Sequence, residues 1–165
     1  MVDLSEIQTI YYMVAATGVL VAAVYYILNM RATLQTRQAQ LFMQVFDRYQ
    51  DMEFVRIFLM VMNREWKNYD EWNSDRLDPI QGPARISINN YFEGIGVLVQ
   101  QGLLSPKSIA DILAGPVVMW WNKQSEYVKE FRVRARFPMY GDKLEYLYNE
   151  MMKQRPAGFS PSVKG

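Results

Sequence analysis

The chain has 165 residues, half of them hydrophobic, with 18 Lys and Arg against 17 Asp and Glu, and it contains neither Cys nor His. Those two absences exclude disulfide frameworks, zinc fingers, thiol nucleophiles, histidine-held haem and Ser-His-Asp triads. The near-zero net charge gives no basic footprint for nucleic acid. Any catalysis would fall to carboxylates, Lys or Tyr, so the chain is read as non-enzymatic, with no metal and no cofactor expected.

The first element is "TIYYMVAATGVLVAAVYYIL", Thr9 to Leu28, which carries no charge. A bilayer core takes about 20 mostly apolar helical residues, and Ile7 to Leu28 meets that length. Tyr11 and Tyr12 near one end and Tyr25 and Tyr26 near the other suit the headgroup boundary, where a ring stays apolar and its hydroxyl meets water. The leading "MVDLSE" is acidic, unlike a cleaved export signal. Residues 1–29 are therefore expected to form a single-pass membrane anchor. Arg31 and Arg37 follow it, which places the N-terminus outside and the remainder in the cytoplasm, at the cell membrane. Tyr11, Ala15, Gly18, Ala22 and Tyr25 trace one face. Its Gly18–Ala22 pair suits helix pairing with another subunit or a second copy, although small residues are common in spans.

Residues 30–50 lack Gly and Pro and read as a helical stalk, with packing expected from Leu41. Asp51 is a cap for a helix over 52–66. "KNYDEWNSDRLDPIQGP" reads as the longest loop. Pro83 then opens a helix that Gly102 stops, with Gly94 and Gly96 inside it for close packing. Ser105 caps a short helix, which Gly115 and Pro116 end before the next begins. "FRVRARF", Phe131 to Phe137, alternates like a strand, yet no second strand exists to pair with it. It is read as helix, which puts Arg132 and Arg136 on one face. A last helix follows Gly141 with Asp142 as cap, and the tail 155–165 is expected to be flexible. The fold class is all-α: one transmembrane helix continuing into a cytoplasmic bundle of about five helices over 51–154.

Three groups of residues invite a functional reading. Glu93 lies in the most apolar helix of the domain, where a carboxylate needs a partner. Arg132, Arg134 or Arg136 would supply an internal ion pair, or Glu93 would line a polar ligand pocket. The arginine cluster would alternatively face anionic lipid, or be a solvated face balanced by Glu126 and Glu130. Trp120 and Trp121, beside Met119, are core residues by default and interface aromatics as the second choice.

The order of a span, a stalk, "YFEGIGVLVQQGLLS", a following "WW" and a terminal "LEYLYNEM" resembles a group of uncharacterised prokaryotic membrane-anchored proteins that share a domain of unknown function. That resemblance covers most of residues 30–152, implies an all-α cytoplasmic domain and carries over no catalytic residue. The function expected is an accessory or scaffold subunit of a membrane complex, with the lipid bilayer, other subunits or a second copy as partners. The alternative is a membrane-tethered sensor or small-ligand-binding module.

Overall fold

The computed structural model describes residues 4–154. Among these the secondary structure is helical throughout: α1 (Leu4–Gln50), α2 (Met52–Met62), α3 (Tyr69–Ser74), a 3-10 turn (Asp75–Leu77), α4 (Gln81–Gln100), α5 (Pro106–Arg134) and α6 (Asp142–Lys153). The chain divides into two units, one up to Gln40 and one from Leu41 onward. The expected flexible tail, 155–165, lies outside the described residues.

The first unit is the body of α1. It is long and apolar enough to cross a membrane by length and composition, and none of its side chains is buried. Val19 and Tyr25 are 72% and 70% exposed. Apolar surface uncovered all round is costly in water, whereas lipid solvates it. Its threonine hydroxyls are satisfied locally. The hydroxyls of Thr9 and Thr17 each donate to the carbonyl one turn back at 2.8 Å, so the helix carries no orphan hydroxyl there.

The second unit begins with the last turns of α1, where Leu41, Phe42, Val45 and Tyr49 pack against the core. Asp51 caps α2 as expected, accepting from the Glu53 N–H at 3.1 Å. That helix stops at Met62 rather than continuing to 66, because Trp66 turns inward and its indole donates to Asp75 at 3.0 Å. The expected long loop is also structured. Asn68 accepts from the Glu71 N–H at 2.9 Å and starts α3, which buries Tyr69 and Trp72. Asp78 then accepts from the N–H groups of Ile80 and Gln81 at 2.8 and 2.7 Å, and α4 starts at Gln81. Those two bonds hold the Asp78 carboxyl below its ordinary range.

Helix α4 ends as Gly102 requires. The glycine takes φ +70°, and the Leu103 N–H returns to the Leu98 carbonyl at 2.9 Å, closing the last turn. Helix α5 corrects the expected break at Gly115–Pro116: it runs unbroken, with Pro116 inside. Proline there costs about 3 kcal/mol. Continuous burial of Ile109, Leu113, Val117, Val118 and Trp120 along one face outweighs that cost.

The helix expected through Phe137 stops at Arg134. Arg136 takes φ 51°, and the Phe137 N–H bonds to the Arg132 carbonyl at 3.0 Å. This is the same closing geometry as at Gly102, made here without glycine, so Arg132 and Arg136 do not share a helical face. Gly141, at φ 71°, occupies the cap position of α6, and Asp142 is its first residue. Helix α6 packs on both α4 and α5, burying Leu144, Leu147 and Met151. Its approach to α4 is close: a Cβ at Gly96 would lie 2.2 Å from the Lys143 carbonyl oxygen. Gly94, expected to serve the same purpose, faces open space.

Candidate functional site

The close crossing at Gly96 sets the chemistry one turn earlier on α4. Ile86, Asn89, Asn90 and Glu93 recur at helical spacing and form one stripe of that helix. Glu93 Oε2 accepts from the Lys143 N–H at 3.2 Å, in the first turn of α6. Glu93 therefore caps α6 from a different helix, a task that Gly141 has no side chain to perform. Burial, and then the nearby Asp142 charge, push the Glu93 carboxyl above its ordinary value, while the backbone bonds oppose this.

The expected ion pair between Glu93 and the arginines gives way to other pairings. Arg132 donates Nη1 to Glu145 at 2.6 Å and Nε to the Tyr140 carbonyl at 2.7 Å. Its Nη2 is buried and has no hydrogen-bond partner among the described residues. Arg134 pairs with Asp70 at 3.3 Å and with Glu130, and it lies over the Tyr69 ring at 4.3 Å. Arg136 is exposed in its left-handed turn. The three basic side chains thus diverge rather than forming one patch. Glu93 and Arg132 still share a neighbourhood: Glu93 Oε1 and Arg132 Nη2 each lie 3.8 Å from where a Gly141 Cβ would stand.

Trp120 and Trp121 are both buried, which removes them from any surface the domain offers to a partner. Trp120 anchors a polar network instead. Its Nε1 and the Gln124 Nε2 both donate to Asn89 Oδ1, at 2.8 and 2.7 Å. Two donors on one oxygen fix the amide orientation, so Asn89 Nδ2 donates to the Tyr140 hydroxyl at 3.2 Å. Trp121 packs near Tyr148, with the Arg132 guanidinium 5.9 Å from its ring.

Above this network lies a cleft of about 350 Å³, lined by α4 and the turn before α6. Asn89, Asn90, Glu93 and Tyr140 supply its polar groups, and Ile86, Phe137 and Met139 its apolar wall. Of these, sequence reasoning named only Glu93 as a site residue. The adjacent amides of Asn89 and Asn90 in an otherwise apolar helix were the available signal. Tyr140 carried none, because its role depends on the turn that brings it back over α4.

A second polar cluster is closed. Arg85 is 3% exposed, lies 4.4 Å from the Trp72 ring and donates to the Trp72 carbonyl at 2.5 Å. Burial lowers its pKa, and the Asp75 charge opposes that shift. Asp75 in turn takes Arg64 at 3.2 Å. This cluster holds α3 and the 3-10 turn against α4.

The span residues Tyr11, Ala15, Gly18, Ala22 and Tyr25 are all exposed on α1, and nothing lies within 4 Å of a Cβ placed at Gly18.

No curated protein and no solved structure matches the chain. A family model does, and it extends from the apolar part of α1 through α6, including every residue that lines the cleft. It matches residues 12–151, and the chain accordingly belongs to the family described as domain of unknown function DUF4760.

Proposed function

We propose that this chain is a non-catalytic accessory or scaffold subunit of a membrane complex, held by one span and presenting its helical domain to partners. The observation that carries the reading is α1, whose apolar side chains are uncovered on every side and whose last turns are packed into a folded domain. The domain also leaves apolar side chains outside. Met52, Val55 and Leu59, spaced along α2, are 84%, 37% and 54% exposed, a face suited to another protein. Arg31 and Arg37 favour a cytoplasmic domain and an external N-terminus.

Purification of the full chain from its own membranes in mild detergent tests the subunit reading. Stoichiometric companion proteins are the expected result, and a lone monomer would sink it. Because the chain lacks Cys, topology can be read by labelling intact cells with a membrane-impermeant maleimide. Ser5→Cys should react and Asn149→Cys should not, and the reverse pattern would invert the topology.

A second reading, a tethered ligand-binding module, is favoured by one observation. The cleft over Asn89 and Glu93 joins a half-buried carboxylate to an exposed apolar wall.

A further inference from the structure

We infer that this cleft takes a small organic ammonium: a primary amine whose charged head meets Glu93 and whose apolar substituent lies on Ile86, Phe137 and Met139. The inference rests on the ligand-binding reading above and names the class of ligand.

Charge inventory carries it first. Glu93 is the only charged residue among the eight that line the cleft. The basic groups around it have partners of their own: Arg132 through Nη1 with Glu145 and through Nε with the Tyr140 carbonyl, Arg134 with Asp70 and Glu130, and Lys143 Nζ with Asp142 at 3.0 Å. Arg132 Nη2, without a hydrogen-bond partner among the described residues, is buried, and Arg132 does not line the cleft. A carboxylate has room for about four hydrogen bonds. Glu93 directs Oε2 to the α6 backbone, while Oε1 lies beside the slot at Gly141. An anionic ligand would meet repulsion there. A neutral one would leave a partly desolvated carboxylate without a counter-charge.

The remaining lining fits the rest of an amine. Ile86, Phe137 and Met139 are 49%, 49% and 66% exposed, so an apolar surface is already in place. The Phe137 and Tyr140 rings lie 6.2 Å apart, and aromatic faces attract ammonium more than they attract a hydroxyl. The Tyr140 hydroxyl oxygen accepts from Asn89 and keeps a second lone pair that can accept from an ammonium N–H. At about 350 Å³ the volume suits a single-ring amine and is at the small end of ligand sites.

The test uses the full chain in nanodiscs with methyl-labelled methionine, reading the Met139 methyl resonance assigned through Met139→Leu. Three probes of one shape are titrated: benzylammonium, benzyl alcohol and phenylacetate. Benzylammonium should move the Met139 signal saturably, with benzyl alcohol about tenfold weaker or more and phenylacetate without effect. Glu93→Gln retains an acceptor for the α6 backbone but loses the charge, and it should weaken benzylammonium by about tenfold or more. Ile86→Lys, at an exposed position, places an ammonium in the cleft from the protein itself and should abolish binding even if the Glu93 variant folds poorly. Equal response to all three probes would overturn the ammonium assignment and leave a ligand site standing. No response to any probe would overturn both, and undiminished binding in either variant would overturn the role of Glu93.

Discussion

Two glycines two residues apart on α4 should respond in opposite directions to the same substitution. In an open helix interior, Gly→Ala gains about 1 kcal/mol. Gly94 is exposed with nothing within 4 Å of an added Cβ, so Gly94→Ala should realise that gain. At Gly96 the added Cβ falls 2.2 Å from the Lys143 carbonyl oxygen and 2.8 Å from its carbon, both backbone atoms of α6. Ordinary contact requires α6 to retreat by about 1 Å. Such overpacking costs about 1–3 kcal/mol, more where backbone must move, and it outweighs the propensity gain. Retreat of α6 also draws the Lys143 N–H away from Glu93. Gly96→Ala should therefore lower the unfolding midpoint of the full chain in mild detergent, while Gly94→Ala raises it by a few degrees. Equal shifts of the same sign would refute the close α4–α6 crossing on which the position of Glu93 depends.

Other expectations follow from single contacts. Arg136 holds φ 51°, a conformation that costs a side-chain-bearing residue about 1 kcal/mol, so Arg136→Gly should stabilise the domain by about that much in thermal unfolding. Tyr91 donates its hydroxyl to the Val45 carbonyl at 2.7 Å, and burial raises its pKa; Tyr91→Phe should cost about 1 kcal/mol in the same assay. Glu93 has a folded pKa above its unfolded one, so between those two values the folded state binds more protons. Its contribution therefore favours folding at low pH and declines as pH rises from the ordinary carboxylate range through the raised value. Urea titrations across that window should show a declining component in the parent that Glu93→Gln removes, and identical slopes would contradict the shift.

Local signals were legible where one residue performs the work by itself. Asp51, Ser105 and Gly102 each cap or close the helix that their chemistry predicts, and each does so through neighbours within five positions. Legibility failed where tertiary burial overrode a local rule. Pro116 is a breaker by chemistry, yet the apolar face running past it is worth more than the bond it removes. The Asp- and Asn-rich stretch after Lys67 has a loop composition, but Trp66 and Trp72 demand burial, and caps from Asn68 and Asp78 divide it into short helical turns. Arg136 gave no warning because left-handed closure is ordinarily read from glycine.

Glu93 shows where reading a carboxylate in an apolar helix stops short. Its need for a partner follows from the cost of burying charge, and that need was visible. The choice of partner was not, because three distant facts decide it. Gly96 lets α6 come close enough for its backbone to be in reach. Arg132, the nearest cation in prospect, is taken by Glu145 on α6 and by the Tyr140 carbonyl. Gly141 must adopt φ 71° to turn the chain into α6, and this favours a residue that has no capping side chain to offer. A helix start so arranged draws its acceptor from outside, and Glu93 is the sole acidic residue on α4. The bend that admits only a small residue at 141 and the carboxylate at 93 are therefore parts of one device. The part of that carboxylate left over from capping α6 is what the cleft has available for a ligand.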